Sequence, residues 1–308
     1  MPLTPEYQAM LAQAAAQPAP PLSSLAPADG RQMYRLMRPV NPDLPVGSVT
    51  DRTIPGPAGD LPVRIYTPTG TGPFPVLVNF HGGGWVIGDL ETSDAACRDL
   101  CRTVGCVVVS VDYRLAPEHR FPAAVDDSLA ATAWVAENMA ALNGNGRLAV
   151  GGESAGGNLA AVVAQLARDA GGPRIDFQLL LYPVTDCDLG RASYAANGKG
   201  YLLELDTMRW FWDEYCPDPA TRQDPKASPI RAANLGNLPP ALIVTAEFDP
   251  LRDEGEAYGR ALQAAGSPAE ICRYDGLVHD FLATAQVFPS SRAAFEAICG
   301  RLRQALDA

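Results

Sequence analysis

Gly152-Glu153-Ser154-Ala155-Gly156 decides how this chain is read. It follows the apolar run Arg147-Leu148-Ala149-Val150-Gly151, which has the character of a short buried strand. It precedes Asn158 through Arg168, an Ala-, Leu- and Val-rich stretch with helical character. Strand, tight turn and helix are the setting in which a Ser with Gly two positions to either side forms a nucleophile elbow. The turn strains the Ser backbone, and side chains at the flanking positions would collide. Gly152 and Gly156 remove that collision, and Ala155 and Gly157 keep the approach open. Alone, the stretch could equally be an inert Gly/Ser loop. The rest of the chain has to supply a base, an acid and oxyanion donors.

Ser is almost fully protonated at neutral pH and needs a His to accept its proton. The chain has three His, at 81, 119 and 279. In the arrangement that uses such an elbow the order is Ser, acid, His, and only His279 follows Ser154. It lies in the loop Asp275-Gly276-Leu277-Val278-His279-Asp280-Phe281, after a strand-like run. The acid that fixes its tautomer is expected just past a strand end. Leu242-Ile243-Val244-Thr245-Ala246 runs into Glu247-Phe248-Asp249-Pro250. Asp249 is preferred because Pro250 stops the strand, with Glu247 and Asp253 as fallbacks. Asp253 also suits the first turn of a following helix.

His81-Gly82-Gly83-Gly84-Trp85 follows another apolar run, Pro75 to Phe80. Consecutive Gly residues let backbone N–H groups approach a developing oxyanion without a Cβ in the way. Gly83 and Gly84 are the expected donors, with the N–H of Ala155 as the third. A phosphate-binding loop would want a following helix and usually a Lys, and Trp85-Val86-Ile87-Gly88 follows instead. His81 suits a structural role in the loop. Asp112-Tyr113-Arg114-Leu115-Ala116-Pro117-Glu118-His119 has the charges for an ion-pair network near the elbow, a scaffold element.

Outward from these motifs, apolar strands alternate with helices, which predicts an α/β fold with a mainly parallel central sheet covered on both faces. A hairpin, Val49 to Ile54 and Leu61 to Thr67, opens it. Strands are expected at Pro75–Phe80, Cys106–Val111, Arg147–Gly151, Phe177–Tyr182, Ala241–Ala246 and Ala269–Tyr274. Helices are expected at Glu91–Val104, Pro122–Leu142, Asn158–Arg168, Glu254–Ala265 and Arg292–Leu306. Thr4 to Gln17 has helical character, is ended by Pro18 to Pro21, and is followed by a short helix at Arg31–Arg38. The alternation breaks between Asp186 and Ile230, a segment rich in aromatics with Leu202 and Leu203 among them. Residues 1–47 are therefore expected to form an arm, 48–185 and 231–308 the two parts of the α/β core, and 186–230 an insertion making a cap with the arm.

The net charge of −11 argues against nucleic acid and anionic membrane surfaces as partners. No apolar run approaches the roughly 18 residues of a membrane span. Met1 to Leu22 has no Lys or Arg and lacks the pattern of a secretory signal. The seven Cys are odd in number and match no zinc spacing. No metal, no cofactor and a cytoplasmic location follow.

Taken together, the His81–Trp85, Asp112–Glu118, Gly152–Asn158 and Asp249–Glu254 motifs resemble the bacterial hormone-sensitive lipase family of carboxylesterases, family IV. The resemblance runs from about Arg52 to the C-terminus. It implies an α/β-hydrolase core with a helical cap, and hydrolysis of short- to medium-chain acyl esters. It places nucleophile, acid and base on Ser154, Asp249 and His279, and the oxyanion donors on Gly83, Gly84 and Ala155. Trp85, Tyr182, Leu202 and Phe281 are expected to shape an apolar substrate pocket. Two positions depart from the family. Glu153 stands where Asp or Thr is usual, and Asp280 stands where Gly is usual after the base. A carboxylate there is expected to stabilise the imidazolium and shift the pH optimum upward. The same triad would also serve an amidase, deacetylase or acyltransferase. A ligand-binding receptor of the same fold is expected to lack the base, so His279 argues against it. The expected partner is a small acyl ester, and a homodimer is left open.

Overall fold

The computed structural model describes residues 2–307 apart from 18, 39 and 42. Pro18, the first residue of the expected helix break, lies outside the described residues. The strands are β1 (Ser48–Gly56), β2 (Gly59–Thr67), β3 (Phe74–Phe80), β4 (Val107–Val111), β5 (Gly144–Glu153), β6 (Phe177–Leu181), β7 (Ala241–Phe248) and β8 (Ala269–Val278). They form one sheet in the order β1-β2-β4-β3-β5-β6-β7-β8. The β1–β2 hairpin is antiparallel, β2 pairs antiparallel with β4, and every pairing from β4 to β8 is parallel. β3 lies between β4 and β5, so the order reverses there. Ligands in open α/β sheets bind outside the carboxyl ends of the strands at such a reversal.

The central strands are mainly apolar because both faces are covered, with Asn79, Ser110 and Gln178 among the buried polar exceptions. Side chains alternate between two cores. Val76, Val78 and Phe80 of β3, with Leu148 and Val150 of β5, enter one; Leu77 and Ala149 enter the other. Helices α4 (Ala123–Glu137), α5 (Ala155–Ala170) and α8 (Arg252–Ala264) pack against the strands and contribute to the first core. Helices α3 (Asp94–Leu100), continued by a π-helical turn at Cys101–Gly105, and α9 (Pro289–Asp307) contribute to the second. The insertion carries α6 (Ala192–Asn197) and the aromatic α7 (Leu205–Tyr215).

The arm, expected to belong to a cap, divides in two. Helix α1 (Pro5–Ala16) docks on the core, with Tyr7 fully buried against the segment leading into α9. Helix α2 (Pro27–Met37) and the 3-10 turn before it face the insertion, where Gly30 lies beside Trp210. Among the described residues no helix is long and apolar enough to cross a membrane.

Candidate active site

The reversal of strand order brings the sequence motifs to one edge. His81 follows β3, Ser154 follows β5, Asp249 follows β7 and His279 follows β8. Ser154 sits in the elbow with φ 55° and ψ −114°, a region that L-residues rarely occupy. Its N–H donates to the Leu181 carbonyl at 2.9 Å, and its own carbonyl accepts from Asn158 and Val184. A Cβ on Gly152 or Gly156 would land on the Phe80 carbonyl oxygen, so both positions require Gly because the elbow crosses tightly over β3.

The Ser154 Oγ lies 3.2 Å from His279 Nε2, and His279 Nδ1 lies 2.8 Å from Asp249 Oδ2. The other Asp249 oxygen accepts the Leu251 N–H at 2.8 Å. Asp249 is fully buried, whereas Ser154 and His279 keep a small exposed edge. The fallback carboxylates are engaged elsewhere. Glu247 accepts the Gly276 N–H and Asp253 accepts the Ser193 N–H.

The loop after β3 places Gly83 at φ 112° and Gly84 at φ 58°. A Cβ on Gly84 would penetrate the Phe211 ring of α7, and one on Gly83 would meet the Ile87 carbonyl. Among the described residues no acceptor takes the N–H of Gly83, Gly84 or Ala155. Ala155 is the first residue of α5, so the positive end of the helix dipole faces the same place. His81 is structural. Its Nδ1 contacts the Gly82 carbonyl at 2.7 Å, its ring stacks on Tyr113, and burial holds its pKa down to about 4. The loop after β4 is scaffold: Arg114 forks onto Asp127, and Glu118 pairs with Arg31 of α2. Arg31 also donates to the Val86 carbonyl, which ties the arm to the glycine loop.

The pocket residues fall differently from expectation. Trp85 is fully buried, stacked on Tyr215 at 4.3 Å, and fastens the glycine loop to α7. Phe281 is fully buried in the second core beside Tyr274 and Tyr182. Neither presents a surface to a substrate. Tyr182, also buried, meets the His279 ring edge-on at 5.0 Å. Leu202 is half exposed on the insertion. A cavity of about 450 Å³ instead lies between α3, α9 and the end of α2, with Leu100, Leu181, Leu282 and Ile298 in its wall. It reaches the elbow at Glu153 and Arg38.

In the sequence Arg38 stands only as the end of a short helix, with no part in the site. It lies just past the end of α2, and its guanidinium turns inward to pair with Glu153 at 3.6 Å and with Asp280. These carboxylates belong to the residue before Ser154 and the residue after His279. Nothing local marks Arg38, because its partners lie more than a hundred residues away.

A family model described as the alpha/beta hydrolase fold matches residues 77–283. The chain is 49% identical over 266 residues to carboxylic ester hydrolase LipN of Mycobacterium tuberculosis, covering 84% of this chain and 71% of that protein. It is 41% identical over 253 residues to an ethyl acetate hydrolase of Pseudomonas putida, covering 80% and 79%. Among solved structures, a thermostable esterase from Pseudomonas putida superposes with a TM-score of 0.95 at 42% identity, covering 99% of this chain and 98% of that one.

Proposed function

Since the chain belongs to the α/β-hydrolase family, in its hormone-sensitive-lipase-like branch, we propose that it is a serine carboxylesterase acting on short- to medium-chain acyl esters. The observation that carries the reading is the unbroken contact from Ser154 Oγ through both His279 nitrogens to Asp249. Ser154 Oγ attacks the ester carbonyl as its proton passes to His279 Nε2. Asp249 holds the Nδ1 proton and stabilises the imidazolium. The N–H groups of Gly83, Gly84 and Ala155 receive the charge on the carbonyl oxygen, each worth about 3 kcal/mol in the transition state. His279 returns the proton to the leaving alkoxide, which leaves an acyl-Ser154 ester. Water, deprotonated by the same nitrogen, attacks that ester, and the acid and free Ser154 follow.

Leu202, on the insertion, remains the side chain proposed to touch substrate, while Tyr182, buried like Trp85 and Phe281, backs the His279 ring. Residues 186–230 with α2 form the proposed cap, and α1 belongs with the core. All seven Cys are unpaired, which supports a reducing, cytoplasmic location. Sedimentation velocity at micromolar concentration decides the homodimer that the sequence leaves open.

The deciding experiment is turnover of p-nitrophenyl esters of increasing acyl length, with Ser154→Ala as the control. Turnover highest for acetate to octanoate, and lowered about 10³-fold or more in the variant, is expected. Hydrolysis of no ester by the wild type, or full activity in Ser154→Ala, would remove the reading.

A further inference from the structure

We propose that Arg38 is a positioning residue for the Ser154–His279 pair: one arm-borne cation clamps the residue before the nucleophile to the residue after the base and sets the charge that His279 meets. The inference rests on the carboxylesterase reading only for its kinetic readout.

Buried charges have to be paired. The Arg38, Glu153 and Asp280 side chains are 13%, 11% and 28% exposed. Arg38 Nη1 faces Glu153 Oε2, Nη2 faces Asp280 Oδ2, and the guanidinium plane lies over the Tyr34 ring at 4.6 Å. Asp280 is fixed from the other side by the Tyr182 hydroxyl, which donates to Oδ1 at 3.3 Å, while the Tyr182 ring meets the His279 ring. Asp280 adopts a left-handed backbone conformation with φ 64°, a region that Asp enters more readily than most residues. The charged and titratable groups gathered here are Glu153 beside the elbow, Asp280 and Tyr182 beside the base, Asp249 on Nδ1, and Tyr34 and Arg38 from the arm. Burial holds the His81 imidazole down to a pKa of about 4.

Glu153 and Asp280 together would offer the imidazolium two negative charges beyond Asp249. Arg38 offsets one of them. The negative charge beside the base is therefore partly neutralised by a residue on the arm. Loss of Arg38 should make His279 easier to protonate, and loss of the Asp280 charge should make it harder. Opposite displacements from two partners of one ion pair are a signature that general loosening of the site does not produce.

The chain has only three His, so His279 can be followed by imidazole NMR titration, which needs no turnover. In Arg38→Met the midpoint should rise by about half to one pH unit, and in Asp280→Asn it should fall by a similar amount. Arg38→Lys should restore most of the wild-type value, and Arg38→Met/Asp280→Asn should return near it. The acidic limb of kcat/KM should move with the midpoint. Unmoved midpoints, or movement in the same direction in both single variants, would overturn the inference. Should Arg38→Met not fold, an unmoved midpoint in Asp280→Asn alone overturns it. Titrations that shift as stated in a protein that hydrolyses no ester would remove the carboxylesterase reading and leave the clamp standing.

Discussion

Glu247, Asp249 and Asp253 all follow the apolar part of β7, and only Asp249 touches the base. Glu247 accepts the Gly276 N–H near the end of β8, and Asp253 receives Ser193 from the insertion. The three should therefore separate on substitution. Asp249→Asn keeps the shape but lets the imidazole settle in the wrong tautomer, and kcat should fall about 10³- to 10⁴-fold. Glu247→Gln and Asp253→Asn should leave kcat within a few-fold and act on the melting temperature. A kcat loss in Glu247→Gln as large as that in Asp249→Asn would reassign the acid. At this scale the site's polar atoms were legible, because chain order and strand ends restrict which residues can meet. The aromatics were not. Trp85 at φ 60° turns its ring away from the glycine loop toward α7, and the 3-10 turn at Phe281–Thr284 sends Phe281 into the second core. Proximity in sequence to a catalytic motif does not set side-chain direction.

Helix α8 enters its first turn with Glu254, fully buried under the start of the insertion. One Glu254 oxygen accepts the N–H groups of Thr185 and Asp186, and the other accepts the Tyr194 hydroxyl at 3.0 Å. Burial pushes its pKa up to about 8, although these hydrogen bonds pull the other way. The folded pKa thus lies above the unfolded value of about 4.3. Between the two, the folded protein holds a proton that the unfolded chain releases. This group's stabilising contribution is whole below about pH 4, declines as pH rises, and is lost by about pH 8. Glu254→Gln keeps the acceptor for the two N–H groups and carries no proton to release. Its melting temperature should fall less than that of the wild type from pH 5 to pH 8, and the two should be close at pH 5. Parallel curves would mean that Glu254 is ionised in the fold. Glu254→Ala strands buried N–H groups and should cost about 2–4 kcal/mol at pH 5, and less at pH 8, where the wild type has lost its own contribution. Alternating apolar runs made the sheet and its helices legible, with ends a few residues off; β8 runs on to Val278 beside the base. The work of Glu254 was not legible, since an acid in a first helical turn is ordinarily placed by the helix dipole at the surface.

Across the whole molecule the arm fastens the site from two sides, and its two halves act on different partners. The second half reaches the glycine loop through Arg31 and the Ser154–His279 pair through Arg38. The first half reaches the base loop from beneath. The Tyr7 hydroxyl lies 2.6 Å from Thr284 Oγ1, 2.9 Å from Ser291 Oγ and 3.3 Å from the Phe281 carbonyl, and its ring meets Phe288 edge-on. An apolar face on α1 announces that the helix packs somewhere, but carries no mark of the surface it chooses, so the sequence assigned it to the cap. Two substitutions distinguish what the staple is made of. Thr284 Oγ1 already lies 2.9 Å from Ser291 Oγ and donates to the Phe281 carbonyl at 2.8 Å, so these groups stay paired without the phenol. Tyr7→Phe should therefore cost only about 1 kcal/mol in urea unfolding. Tyr7→Ala removes a fully buried ring and should cost about 3–5 kcal/mol, with the slope against urea unchanged. Because that ring supports the turn that follows His279, kcat should also fall in Tyr7→Ala and hold in Tyr7→Phe. Equal stability losses in the two would place the staple in the hydroxyl, and an unchanged midpoint in Tyr7→Ala would detach α1 from the support of the site.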